Sequence, residues 1–256
     1  MQEILLTAIG VGGATVIGAF LGLFFKNPSH KLNDIILSFA AGIMLCASVM
    51  GLIIPSLESG NGGIVSLLVT VAGIFCGAIC LNLIDRLVPH LHKLTGVGAV
   101  EEAHPAKTEQ LNKVLLFVIA IAIHNLPEGI AAGVSFGGGN VSQAITVAGG
   151  IALQNIPEGM VIIAPMIAGG MSKKRTFLIA SLTGVVEVIG TFIGYFAASI
   201  SAAVLPFALA FAGGTMLYVI SDEMIPETHS HGNERVSTYS LLVGFCVMLV
   251  FDVLLG

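Results

Sequence analysis

Charge is what this chain has least of. Only 10% of its 256 residues are charged, and tryptophan is absent. A water-soluble domain carries about a quarter charged residues, so composition alone excludes an ordinary soluble enzyme. All ten Lys and Arg residues fall in or beside short loops rather than along one face, which leaves no surface for nucleic acid. The four cysteines (Cys46, Cys76, Cys80 and Cys246) lie inside apolar runs. They imply no disulfide framework and read as small packing groups. The phosphate-binding pattern GxxxxGK[ST] is missing, so ATP-driven pumping by this chain alone is not expected. The metalloprotease pair HExxH is missing too. Met1-Gln2-Glu3 lacks the positive start of a cleavable signal, so the first apolar run is expected to remain as a membrane span.

Apolar sequence is what the chain has in abundance: 55% of residues are hydrophobic, with a mean hydropathy of +0.98. A span needs about 20 apolar residues. Cutting at loop signals yields eight, at 4–25, 34–57, 63–86, 112–137, 141–168, 176–200, 204–226 and 237–255. The expected fold is an all-α integral membrane protein, one transmembrane domain over 1–256. Lys26 and Lys31 lie in the first loop, while Arg86, Lys93, Lys107 and Lys113 bound or occupy the third. Lys173, Lys174 and Arg175 lie in the fifth, and Arg235 in the seventh. Every cation thus belongs to an odd-numbered loop. The positive-inside rule then puts the odd loops in the cytoplasm and both termini outside. The one sizeable polar segment, 87–111, carries His90, His92 and His104 and is expected to be a loose cytoplasmic loop.

Two hexapeptides break the apolar pattern. His124-Asn125-Leu126-Pro127-Glu128-Gly129 is answered thirty positions later by Gln154-Asn155-Ile156-Pro157-Glu158-Gly159. Residues three and four apart share a helical face, so His124, Asn125 and Glu128 point together, as do Gln154, Asn155 and Glu158. A third acid, Glu187, sits among Val185, Val186, Val188 and Ile189. A carboxylate at mid-bilayer costs roughly 2.5–3.5 kcal/mol. Three of them, flanked by His and amide side chains, call for a divalent cation. Because they repel one another, metal and protons compete for the same oxygens, and metal entry should release protons. Pro127 and Pro157 remove backbone donors, which is expected to kink the two helices and free the carbonyls of Ile123 and Leu153, as at the midplane sites of transporters with broken helices. A donor set of nitrogen and oxygen without thiolate suits zinc, and also iron(II), manganese or cadmium. Asp222 and Glu223 at the end of the seventh run, with Pro226 one turn on, read as part of the same path.

His-Asn-x-Pro-Glu-Gly in the fourth span and its variant in the fifth resemble the ZIP family of divalent-metal transporters, its bacterial GufA-like branch in particular. The resemblance covers the whole chain. It implies an inverted repeat of helices 1–3 and 6–8 around helices 4 and 5, a homodimer in the cell membrane, and transport into the cytoplasm by an elevator-like movement. It implies that His124, Glu128, Gln154 and Glu158 hold one metal. Asn125, Asn155 and Glu187 would hold a second, bridged by Glu128 and Glu158. It also implies a release route through Asp85, His90, His92, Asp222 and Glu223. Many members begin the second motif with His where this chain has Gln154, a weaker ligand. The competing readings are a membrane-embedded metal-dependent hydrolase using the same ligands, a di-iron carboxylate bundle and an ion channel.

Overall fold

A computed structural model describes residues 2–25, 28–59, 63–87, 122–201 and 203–255. Those residues form helices and short connections. Among the described residues seven helices are long and apolar enough to cross a membrane: α1 (Gln2–Gly22), α2 (His30–Glu58), α3 (Gly63–Leu87), α5 (Val141–Ala168), α6 (Lys173–Ser199), α7 (Leu205–Thr228) and α8 (Glu234–Leu255). Between α3 and α5 the helix over 122–135, α4, carries the first hexapeptide. The loop over 87–111, with His90, His92 and His104, lies beyond Leu87 outside the described residues.

Polar residues at the loops start the helices. Ser29 accepts from the Leu32 amide, Asn140 from Gln143 and Ser172 from Arg175, each capping the first turn of α2, α5 or α6. Gly139 closes the turn after α4 with φ of 76°, a conformation that side chains with a Cβ resist. The helices differ in depth: 61% of the α2 span is buried, against 11% of α8. Large apolar side chains on α1, α3, α6 and α8 face outward, among them Phe20, Phe75, Ile189 and Val250. In a bilayer that face meets lipid.

Packing follows small residues, as expected where lipid tails are as apolar as any side chain and close backbone approach decides association. α1 packs on α5 and α6, α2 on α8 and α5, and α3 on α7. α4 lies against α6 where Gly129 and Gly133 meet the carbonyls of Glu187 and Thr191. These pairings repeat. Exchanging α1 with α6, α2 with α7, α3 with α8 and α4 with α5 turns the α3–α7 contact into α8–α2 and the α1–α5 contact into α6–α4. Corresponding helices lie five spans apart, or one for α4 and α5, an odd number in each case, and so cross the membrane in opposite directions, the expected inverted arrangement.

The repeat extends to local irregularity. α2 contains a π-helical turn at Val49–Ile53 followed by Pro55, and α7 contains one at Ile220–Met224 followed by Pro226. In both, a widened turn accommodates the proline that follows. The two hexapeptide prolines lie inside continuous helices. α5 remains helical from Val141 through Pro157 to Val161 and is interrupted only at Ile162, and α4 runs through Pro127 unbroken. Each proline leaves a carbonyl without its usual donor, but close neighbours hold the helix together: Gly159 lies against the Thr15 carbonyl and Gly129 against that of Glu187.

Candidate metal site

The site is built where α1 crosses α6. A Cβ on Gly12 would lie 2.3 Å from the Gly184 carbonyl oxygen, and one on Gly184 would lie 2.4 Å from that of Gly12. Only glycine permits this approach. Three residues beyond each glycine stand Thr15 and Glu187, so the crossing sets them face to face. Thr15 Oγ1 donates to Glu187 Oε1 at 2.5 Å. Glu187 is fully buried and takes two further donors, Asn125 Nδ2 on Oε1 and Asn155 Nδ2 on Oε2, the latter at 2.5 Å. Helices α1, α4 and α5 therefore converge on one carboxylate of α6. The Asn155 amide also donates to the Val11 carbonyl at 3.3 Å.

Glu128 is buried to the same degree, at 1% exposure, but is less satisfied. Its Oε1 accepts from Gln154 Nε2 at 2.8 Å, and its Oε2 has no partner. Gln154 Oε1 and Asn155 Oδ1 are likewise buried without a partner. A buried polar atom left unsatisfied costs about 1–3 kcal/mol, and native proteins keep few of them. Among the described residues five buried side-chain oxygens are in this condition, and these three belong to one cluster; the others are Ser38 Oγ and Thr176 Oγ1. One carboxylate oxygen and two amide oxygens, all acceptors, are what a hard or borderline cation requires and what no protein donor here supplies.

His124 and Glu158 stand at the edge of this cluster. Glu158 is half-buried and within electrostatic reach of His124, while Glu158 and Glu187 both lie within reach of Glu128. His124 Nε2 makes a 2.6 Å contact with Glu223 Oε1 from the π-helical turn of α7. Both side chains are about a quarter exposed, at 22% and 24%. Glu223 thus touches the cluster directly. Asp222 beside it is exposed, and Asp85 lies in α3; His90 and His92 lie outside the described residues. Nowhere among the described residues do three His, Cys, Asp or Glu side chains converge closely enough to hold one ion. The carboxylates are instead separated by amides, as mutual repulsion in an apolar interior demands.

The cluster opens unequally to the two ends of the bundle. Toward α7's carboxyl end it reaches Glu223 and the exposed Asp222. Toward the other end a cavity of about 160 Å³ is lined by Gly51, Pro55, Glu58, Ser135 and Gln143. Ser135 is two turns, about 10 Å, from Glu128 along α4. In α2 and α5, Met44, Ala47, Val147 and Ile151 are each 0% exposed.

The profile of the family described as ZIP Zinc transporter matches residues 99–252, more than half of the chain. The chain belongs to the ZIP zinc transporter family. Over 256 residues it is 41% identical to the zinc transporter GufA of Myxococcus xanthus, covering 98% of each chain. It is 36% identical to the zinc transporter ZIPB of Bordetella bronchiseptica, over 95% of this chain and 78% of that one. With the human zinc transporter ZIP11 it shares 29% identity over 95% of this chain and 94% of the other. The GufA-like resemblance read from the hexapeptides therefore holds. This is a family of transporters, not enzymes, and the hydrolase reading is set aside.

One site residue was absent from the sequence reading. Thr15 carries no signal in a helix of Ala, Gly and Val, and its partner is 172 positions away.

Proposed function

We propose that this ZIP family member carries Zn²⁺ across the cell membrane into the cytoplasm, with Cd²⁺, Fe²⁺ and Mn²⁺ as further substrates. The observation that carries the reading is the trio of buried, unpartnered oxygens on Glu128, Gln154 and Asn155. All three belong to the two hexapeptides. The names of the relatives support zinc as cargo.

On metal entry His124, Glu128, Gln154 and Glu158 draw together around one ion, and Asn125, Asn155 and Glu187 around a second, with Glu128 and Glu158 shared between them. Incoming metal displaces protons from the carboxyls, so zinc binding weakens as the medium is acidified. The described arrangement is the cytoplasm-facing one. The positive-inside rule puts the α7 end, with the partly exposed Glu223, on the cytoplasmic side. Asp222 and Glu223 lead the ion out, with Asp85, His90 and His92 further along. His124 exchanges between Glu158 and Glu223 as it does so. The assembly is a homodimer, as the family resemblance implies.

The test is metal uptake into sealed proteoliposomes holding purified protein, with zinc, cadmium, iron(II) and manganese offered separately. Wild type is expected to accumulate zinc, and Glu128→Ala to accumulate none. Stoichiometric binding without flux of any metal would end the transport reading.

A further inference from the structure

We infer that Thr15 is a positioning residue of the metal site, fixing Glu187 as a donor of one oxygen. The inference rests on reading the cluster as a metal site, and it concerns a helix, α1, to which the hexapeptides assign nothing.

The first observation is where the Thr15 hydroxyl goes. Threonine in a helix ordinarily returns its hydroxyl to a carbonyl three or four residues back. Thr146, Thr183, Thr191, Thr215 and Thr228 all do so here. Thr15 instead donates to Glu187 Oε1 in another helix, at 2.5 Å and with 2% exposure. A hydroxyl–carboxylate hydrogen bond of that length belongs to the strong, charge-assisted class.

The second observation is how the lone pairs of Glu187 are shared out. Oε1 receives both Thr15 and Asn125, whereas Oε2 receives Asn155 alone. A carboxylate oxygen accepts about two bonds, so Oε1 is filled and Oε2 keeps one position. The same Asn155 amide that reaches Oε2 carries a buried, unpartnered Oδ1. Oε2 of Glu187 and Oδ1 of Asn155 therefore form the face offered to a cation. The backbone holds this setting from three sides. Gly12 and Gly184 bring α1 and α6 together one turn away, Gly159 packs at 2.5 Å from the Thr15 carbonyl, and Gly129 packs at 2.2 Å from the Glu187 carbonyl, each measured from an added Cβ. Without the hydroxyl, the Glu187 carboxyl can turn, and the Oε2–Oδ1 pair is no longer preset.

The test compares Thr15→Val, which keeps the shape and loses the hydroxyl, with Thr15→Ser, which keeps the hydroxyl. Equilibrium zinc binding to each purified protein is measured beside zinc uptake by the same proteins in proteoliposomes. Thr15→Val is expected to raise the half-saturating zinc concentration roughly tenfold, in line with a hydrogen bond to a charged group, with little change in maximal rate. Thr15→Ser is expected to match wild type. Should Thr15→Val not fold, Thr15→Ala gives the same comparison. Valine equal to wild type, or serine as impaired as valine, would overturn the inference, because packing alone would then explain the residue. Wild type that binds zinc without moving it removes the transport reading and leaves the Thr15 binding comparison decisive. Wild type that binds no zinc overturns both.

Discussion

Glu187 and Glu128 are two carboxyls buried to the same degree in the same helical interior, and they are treated in opposite ways. Glu187 is held by Thr15, Asn125 and Asn155 from three different helices. Glu128 has one donor, Gln154, and a bare oxygen. Burial therefore does not by itself mark the group that waits for a ligand; incomplete hydrogen bonding does. Glu187 works as the anchor around which four helices are registered. Glu128, at the centre of the unsatisfied trio, is where the missing positive charge belongs.

If that contrast is right, removing the two acids of the hexapeptides has the largest effect. Glu128→Ala and Glu158→Ala each abolish zinc uptake in proteoliposomes, because no neighbouring side chain replaces the lost oxygens. Next comes Gly129→Ala, which breaks the anchor without touching a ligand. The new methyl would lie 2.2 Å from the Glu187 carbonyl oxygen, a backbone atom that cannot yield without moving α6. Overpacking of this kind costs about 1–3 kcal/mol; a lowered melting temperature in detergent, together with loss of most uptake, is the expected result. Glu187→Gln is milder. It keeps the shape but can no longer accept from both asparagines and Thr15, and uptake is expected to fall roughly tenfold in zinc affinity without vanishing. A Glu187→Gln variant as dead as Glu128→Ala would erase the contrast. The smallest change is Gln154→His, which trades an amide for imidazole. It is expected to shift the preference toward zinc over manganese, read as a change in the ratio of their half-saturating concentrations.

The resemblance between the two hexapeptides made most of this legible beforehand. Six of the seven proposed ligands lie within them, and Glu187 stood out as a lone acid among valines. Seven of the eight expected spans stand among the described residues, and the fourth, 112–137, begins outside them; they were legible because bilayer thickness and loop chemistry are local constraints, and the limits read at 63–86 and 141–168 differ by at most one residue from Gly63–Leu87 and Val141–Ala168. What escaped was tertiary. Thr15 is an unremarkable residue until the Gly12–Gly184 crossing brings it to Glu187. The His124–Glu223 contact joins residues 99 positions apart, and it draws an acid assigned to the exit into the cluster itself. Equally tertiary is the setting of Pro157: α5 stays helical to Val161 while Gly159, two residues on, packs against the Thr15 carbonyl of α1.

The most direct measurement is zinc-edge X-ray absorption on the purified, zinc-loaded protein, wild type beside Glu128→Ala. The account predicts a first shell of nitrogen and oxygen only, at about 2.0–2.2 Å, that disappears in the variant. A shell containing sulfur at about 2.3 Å, or one unchanged by Glu128→Ala, would place the metal elsewhere and contradict it.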